Sequence, residues 1–183
     1  MRAGLLAFLA SLFVMSSAQA KMGLGLGVSG AWRTERTMLV ESESQVDFDS
    51  VLGSSLFYRL GQFRFFYEHS RYSRQSASGN LSVKQETAQN QLGLRYGLLD
   101  SKWGSPFFGL TAGFGQHKIT TVLAAEASEL KSNSFFLWGA EVGYEVSLWR
   151  GLFADLALRL SYPQNQDVAT QVQFQVGYIW HFY

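Results

Sequence analysis

The strongest constraint on the fold of this chain is an alternation of apolar residues with polar or small ones. In the first segment, Met22 and Leu24 lie on one face while Gly23 and Gly25 lie on the other. A period of two is that of a β-strand, whose successive side chains point to opposite faces. The same pattern recurs seven more times. It predicts eight strands, within residues 22–32, 51–60, 62–72, 84–98, 107–118, 133–147, 152–162 and 171–183.

The length of these segments and of the links between them indicates a membrane barrel. The segments have about 10 to 15 residues, more than the five or six of an average strand and enough to cross a bilayer at a tilt. Short links at 60–62, 99–106 and 148–151 alternate with longer polar links at 33–50, 73–83, 119–132 and 163–169. Short turns at one end and long loops at the other are typical of outer-membrane barrels. The sequence therefore predicts an all-β fold, an eight-stranded antiparallel transmembrane up-and-down β-barrel.

The apolar face of the segments is expected to face lipid. A soluble barrel would place its apolar residues inside, but here the opposite face holds glycine and charged residues that suit a narrow lumen. Every second strand carries outward aromatic residues near its short-turn end, which predicts a girdle at one membrane interface. Its members are Tyr58, Tyr96, Tyr144, Trp180 and Phe182. The other girdle would contain Trp32, Tyr67, Phe114 and Trp138.

The inward face carries a balanced set of charges. Four are basic and four are acidic, and an unpaired charge in a low-dielectric lumen costs several kcal/mol. Eight strands enclose a space just wide enough for side chains. We therefore expect a lumen plugged by an ion-paired network, with a narrow gated ion path as the alternative. The network residues are Arg59, Arg64, Glu68, Arg95, Glu141, Glu145, Asp155 and Arg159.

One pair of these charges can be matched from the sequence alone. Glu141 precedes the link at 148–151 by nearly as many residues as separate that link from Arg159. In an antiparallel hairpin such positions lie at similar height. We expect Glu141 and Arg159 to pair, with Glu68 reaching Arg159 from across the barrel.

Residues 1–20 have the layout of a secretory signal peptide. A single early charge, Arg2, precedes an apolar run of about 12 residues, which ends in Ala18-Gln19-Ala20. The run is too short to span a bilayer. The expected division is a signal peptide at 1–20 and a barrel at 21–183. The 15 Lys and Arg and 14 Asp and Glu residues nearly balance, which disfavours nucleic acid as a partner. The chain has no cysteine, so it has no disulfides and no thiol chemistry.

The strongest hint of catalysis is the run Glu68-His69-Ser70. Neighbouring residues of a strand point to opposite faces, so His69 would face lipid while the other two face the lumen. A hydrolytic triad needs these groups within hydrogen-bond reach, and we therefore expect no enzymatic activity. A lipid A-modifying, deacylase-like enzyme is the alternative. His69 and Arg71 are instead expected to contact lipopolysaccharide phosphates at the membrane rim. No spacing of ligands predicts a metal site or a cofactor.

Together, the signal-peptide layout, the eight alternating segments, the aromatic belt and the aromatic strand 171–183 resemble the small eight-stranded outer-membrane barrels of the OmpA/OmpX type. The resemblance implies a location in the outer membrane of a Gram-negative cell and contact with its lipids and lipopolysaccharide. It also implies assembly by the barrel-assembly machinery, which reads a final aromatic residue; here the alternation is in phase with Phe182. Members of this class serve adhesion, defence evasion or envelope integrity. We expect a monomer whose four long loops carry any specific contact.

Overall fold

The computed structural model describes residues 22–35, 48–78, 81–99, 101, 104–123, 126–164 and 168–182. The expected signal peptide, most of the link at 33–50 and Tyr183 lie outside these ranges. The described residues form nine strands: β1 (Met22–Glu35), β2 (Phe48–Leu60), β3 (Phe63–Ser78), β4 (Leu81–Gly97), β5 (Ser105–Leu123), β6 (Glu126–Lys131), β7 (Phe135–Trp149), β8 (Leu152–Pro163) and β9 (Ala169–Phe182).

Eight of these strands close into a barrel. Each pairs antiparallel with the next, β4 pairs with β5, β5 pairs with β7, and β9 closes the ring on β1. The short strand β6 pairs with β5 alone and stands outside the ring. The prediction of an eight-stranded antiparallel barrel is confirmed.

The stagger of the strands sets the height of every side chain. A line of paired residues that starts at Gly23 returns, after one circuit of the eight strands, to Arg33 on β1. The line therefore climbs ten residues in eight strands, or about one and a quarter residues per strand, which corresponds to a strand tilt of about 40°. With this slope, the heights of residues on different strands can be compared.

Two links predicted as loops are mostly strand. Within 73–83, β3 continues to Ser78 and β4 begins at Leu81; within 119–132, β5 continues to Leu123 and turns back as β6. The prediction of loops there is wrong because apolar and polar residues do not alternate in these segments; in β5, for example, Ile119 and Val122 lie on opposite faces. A sheet surrounded by water on both sides needs no alternation. Two ion pairs support its outward face, Lys84 with Glu86 (2.6 Å) and Lys118 with Glu129 (3.1 Å).

The two faces of the barrel have the expected character. Outward leucine, valine and aromatic side chains are exposed on all eight barrel strands, while the buried residues include many glutamines and charges. Four lumen phenylalanines each lie over a glycine of the paired strand, where any Cβ would overlap the ring. The pairs are Phe57 with Gly25, Phe66 with Gly93, Phe135 with Gly115 and Phe153 with Gly177. The inward glycines therefore make room for rings as well as for charged side chains.

The outward aromatic residues fall at two main heights. Tyr58, Tyr96 and Tyr144 lie within about one residue of each other, and Tyr178 lies nearly level with them. Trp180 lies about three residues nearer the short-turn end and Phe182 about five.

At the other end of the barrel, Trp32 and Trp138 are level, and Trp138 stacks on Tyr162 with ring centroids 4.3 Å apart. Tyr67 lies about four residues below Trp32, inside the apolar band rather than in this girdle. The tilt of the strands produces this offset, which sequence spacing alone does not reveal.

Candidate functional site

The lower half of the lumen contains three arginines linked by carboxylates. Arg59 lies nearest the short turns and donates from Nη1 to Glu145 Oε1 at 2.9 Å. Arg64 forms an ion pair with Glu145 and also donates from Nη1 to Asp155 Oδ2 at 3.3 Å. Arg95 donates from Nη1 to the same Asp155 oxygen at 2.9 Å. Each carboxylate in this layer therefore joins two arginines.

The network continues to mid-barrel. Arg95 Nε donates to Glu141 Oε1 at 2.5 Å, and Arg159 donates to Glu141 Oε2 from Nε at 3.0 Å and from Nη2 at 2.9 Å. Arg159 Nη2 also donates to Glu68 Oε2 at 3.0 Å. Thus the eight inward charges named from the sequence form one continuous chain of contacts from Arg59 to Glu68. All are buried except Arg59, whose side chain is 26% exposed.

Aromatic rings and amides complete the surroundings of these charges. The Arg95 guanidinium lies between the rings of Phe66 and Phe107, 4.9 and 4.6 Å from their centroids, and a cation near a ring face is attracted by its quadrupole. Gln173 donates to both Glu68 oxygens at 3.1 and 3.2 Å, and Gln175 bridges Arg95 and Ser55. Sequence reasoning missed the glutamines as network members. The signal was present in the alternating Gln171, Gln173 and Gln175.

The two ends of the lumen differ. A cavity of about 300 Å³ opens at the short-turn end, with Arg59, Glu145 and His181 among its lining residues. Farther up, Gln89, Gln91 and Thr111 are buried, and each has a side-chain polar atom without a hydrogen-bond partner in the protein. Buried polar atoms of this kind are usually satisfied by internal water. The lumen therefore combines a charged lower part with an upper part that is rich in neutral polar groups and also holds the buried Arg33, whose guanidinium lies 4.7 Å from the centroid of the Tyr72 ring.

A second polar group lies on the outward face of β3 and β4. Tyr67 Oη donates to Asn90 Oδ1 at 2.7 Å, and His69 Nδ1 is 2.9 Å from the same oxygen. Arg71 Nε donates to His69 Nε2 at 2.9 Å. Glu68 and Ser70 are buried in the lumen on the opposite face. We call Tyr67, His69, Arg71 and Asn90 the outward polar cluster.

Within the described ranges, no group of three or more His, Cys, Asp or Glu side chains has an arrangement that could hold a metal ion. In the same part of the chain, no helix is long and apolar enough to cross a membrane.

Comparison with known families identifies the barrel. Residues 4–182 match the family described as outer membrane protein beta-barrel domain. The chain belongs to this family. The barrel is therefore an outer-membrane β-barrel, and its lipid-facing aromatic and aliphatic surface is the surface such a protein requires. No curated protein sequence matches the chain.

Solved structures share the fold of this outer-membrane barrel at low sequence identity. Neisserial surface protein A (NspA) aligns with a TM-score of 0.62 and 14% identity, over 86% of this chain and 96% of NspA. Ail of Yersinia pestis aligns with a TM-score of 0.57 and 10% identity, over 88% and 99% of the two chains. OprG of Pseudomonas aeruginosa aligns with a TM-score of 0.50 and 12% identity, over 91% and 99%. These likenesses concern the fold.

Proposed function

We propose that this protein is a non-enzymatic outer-membrane barrel with a closed lumen, which serves envelope structure or surface interaction through its extracellular end. The observation that carries the proposal is the continuous chain of contacts from Arg59 to Glu68. Charges bound to each other on several sides resist displacement by a passing ion, since each displacement leaves a partner unpaired and desolvated. A network of this kind closes the lumen and braces the strands that it joins.

Ion conduction tests the closed lumen. We expect the purified barrel in planar bilayers to give no discrete currents, because Arg95 and Arg159 fill the cross-section together with Glu141. Replacing both arginines by alanine removes two buried lumen side chains that share Glu141 and should produce discrete openings. Leu158→Ala is the matched control, since it shortens an outward side chain next to Arg159. Discrete currents from the wild-type barrel would instead support the gated-pore alternative.

The end opposite the short turns supports a surface role. Outer-membrane barrels place short turns in the periplasm and longer segments outside, which assigns the extension of β3, β4, β5 and β6 to the cell exterior. The described residues of the links predicted at 33–50, 73–83, 119–132 and 163–169 lie at this end, and most of those in 73–83 and 119–132 are strand. A sheet exposed on both faces offers a firm platform for a partner.

Replacing 119–130 with a short turn tests the surface role without altering the lumen. We expect heat-modifiable folding to persist while cell-surface adhesion changes. The same replacement for the tip of the β3–β4 hairpin is the matched variant. If neither variant changes adhesion while loss of the whole protein increases detergent sensitivity, envelope structure is the role.

The lipid A-modifying alternative is less well supported by the geometry. In the outward polar cluster, His69 Nε2 accepts a hydrogen bond from Arg71, and this is the nitrogen that would have to accept the proton of a nucleophile if Nδ1 donates to Asn90. Lipid A extracted from cells with and without the protein should therefore have the same acyl chains by mass spectrometry. A loss of one chain that His69→Ala abolishes would establish an enzyme.

The expected partners follow from the membrane location. Outer-membrane lipids and lipopolysaccharide would surround the barrel, and the barrel-assembly machinery would insert it. Phe182, the last described residue of β9, keeps the outward phase of the strand. Depletion of the assembly machinery should leave the protein in its unfolded, heat-insensitive form.

A further inference from the structure

We propose that the outward polar cluster of Tyr67, His69, Arg71 and Asn90 binds a phosphate group of lipid A in the outer leaflet, with Arg71 as the residue that holds the phosphate. This inference deepens the lipopolysaccharide contact of the proposed function and rests on its assignment of the outer end. It identifies the chemical group that is bound and the side chains that orient Arg71.

The cluster interrupts an otherwise apolar surface. His69 is paired in register with Ser54 on one side and Asn90 on the other. The next residues in register, Val28 and Phe114, are apolar, so the polar row ends there. Polar groups that face lipid are costly unless they are partnered, so a row of three on neighbouring strands requires an explanation.

The height of Arg71 fits a headgroup. Gly30 is its register partner two strands away, and the slope of the pairing line raises Arg71 about two and a half residues above Gly30. Arg71 is therefore level with Trp32 and Trp138, which mark the outer interface. His69 lies about two residues deeper. The cluster thus spans the boundary between headgroups and acyl chains.

The hydrogen bonds within the cluster fix the direction of Arg71. Asn90 Oδ1 accepts from Tyr67 and from His69 Nδ1, which leaves His69 Nε2 as the acceptor for Arg71 Nε. Among the described residues, no carboxylate lies within ion-pair distance of Arg71. Glu86 attracts Arg71 electrostatically at longer range, but it forms its ion pair with Lys84 at 2.6 Å. A guanidinium held in this way can still bind an anion.

Small neighbours leave room for that anion. Arg71 is flanked in register by Leu52 and Ala88, and Gly30 follows beyond Leu52. No atom lies within 4 Å of a Cβ added to Gly30, and Ser54 is also small. The surface beside Arg71 therefore has small residues at Ala88 and Gly30, with the 74% exposed Leu52 between Gly30 and Arg71.

The chemistry of Arg71 favours a phosphate over other lipid groups. A guanidinium offers a planar pair of N–H donors that matches two phosphate oxygens. Zwitterionic or neutral headgroups gain less from it. Since the site lies at the outer interface, the phosphorylated glycolipid of the outer leaflet is the ligand to which we commit.

The test uses the full barrel in phosphatidylcholine nanodiscs that contain lipid A, dephosphorylated lipid A or phosphatidylglycerol. Native mass spectrometry after release measures the lipid retained per barrel. We expect selective retention of lipid A and about tenfold weaker retention by Arg71→Gln, the loss expected for a charge-assisted contact. His69 is a positioning residue, so His69→Leu should weaken retention and His69→Gln, which can still accept from Arg71, should largely restore it.

Lys131→Gln is the matched control, because it removes an exposed cation from β6 and should leave retention unchanged. Wild-type retention by Arg71→Gln, or equal retention of dephosphorylated lipid A, would overturn the site. Equal retention of phosphatidylglycerol would overturn the assignment to lipid A. Heat modifiability and bilayer currents are measured on the same variants. If the wild-type barrel is folded and gives no bilayer currents but does not retain lipid A, this inference is refuted while the proposed closed lumen stands.

Discussion

Removing Arg159 should destabilise the barrel more than any single outward substitution. The Arg159 side chain is 0% exposed and contacts both Glu141 and Glu68. In Arg159→Leu, Glu141 keeps Arg95, whereas Glu68 keeps only the amide of Gln173 among the described residues. Leaving a buried charge without its partner costs about 3–5 kcal/mol. The equilibrium constant for unfolding should therefore rise at least about a hundredfold.

Urea unfolding in lipid vesicles measures this change. Leu158→Ala is the control; its side chain is 44% exposed toward lipid, and its removal should cost no more than about 2 kcal/mol. Adding Glu68→Gln to Arg159→Leu should recover more stability than adding Glu141→Gln, because Glu68 is the carboxylate that loses its cation. Wild-type stability of Arg159→Leu, or strict additivity in both double variants, would refute the reasoning.

Three further predictions concern packing, turn geometry and the folded barrel. Gly93→Val should lower stability by about 1–3 kcal/mol in the same assay, since its side chain would overlap the Phe66 ring, while Gly30→Val, in open space, should not. Arg150 has a φ of 39° in the turn before Gly151, so Arg150→Asn should stabilise the barrel by up to about 1 kcal/mol. A loss of stability in this variant would contradict the inference that the Arg150 backbone is strained. Unboiled protein should migrate differently from boiled protein on a gel, and Arg159→Leu should lose its folded band at a lower temperature than wild type.

The alternation in the sequence was sufficient to predict the membrane barrel, because period and face composition are local properties. Met22 to Trp32 shows the pattern without reference to any other strand. Where both faces meet water, as in β6, the alternation is absent, and so is the signal that predicts a strand. The inward direction of Arg159 and Glu141 also followed from the alternation along their own strands. Because one short link joins these two strands, the heights of the two residues could be matched from the sequence.

Contacts across the barrel depend on closure, which no local pattern contains. The ten-residue stagger brings Glu68 to Arg159, which are 91 residues apart in the chain, and places Gln173 beside them. It also levels Arg71 with Trp32 while lowering Tyr67 into the apolar band. Alternation along each strand is enough to predict which side chains face the lumen and which face lipid, because it sets their direction. Which of these side chains meet depends on the closed ring, because the register of all eight strands together sets their heights.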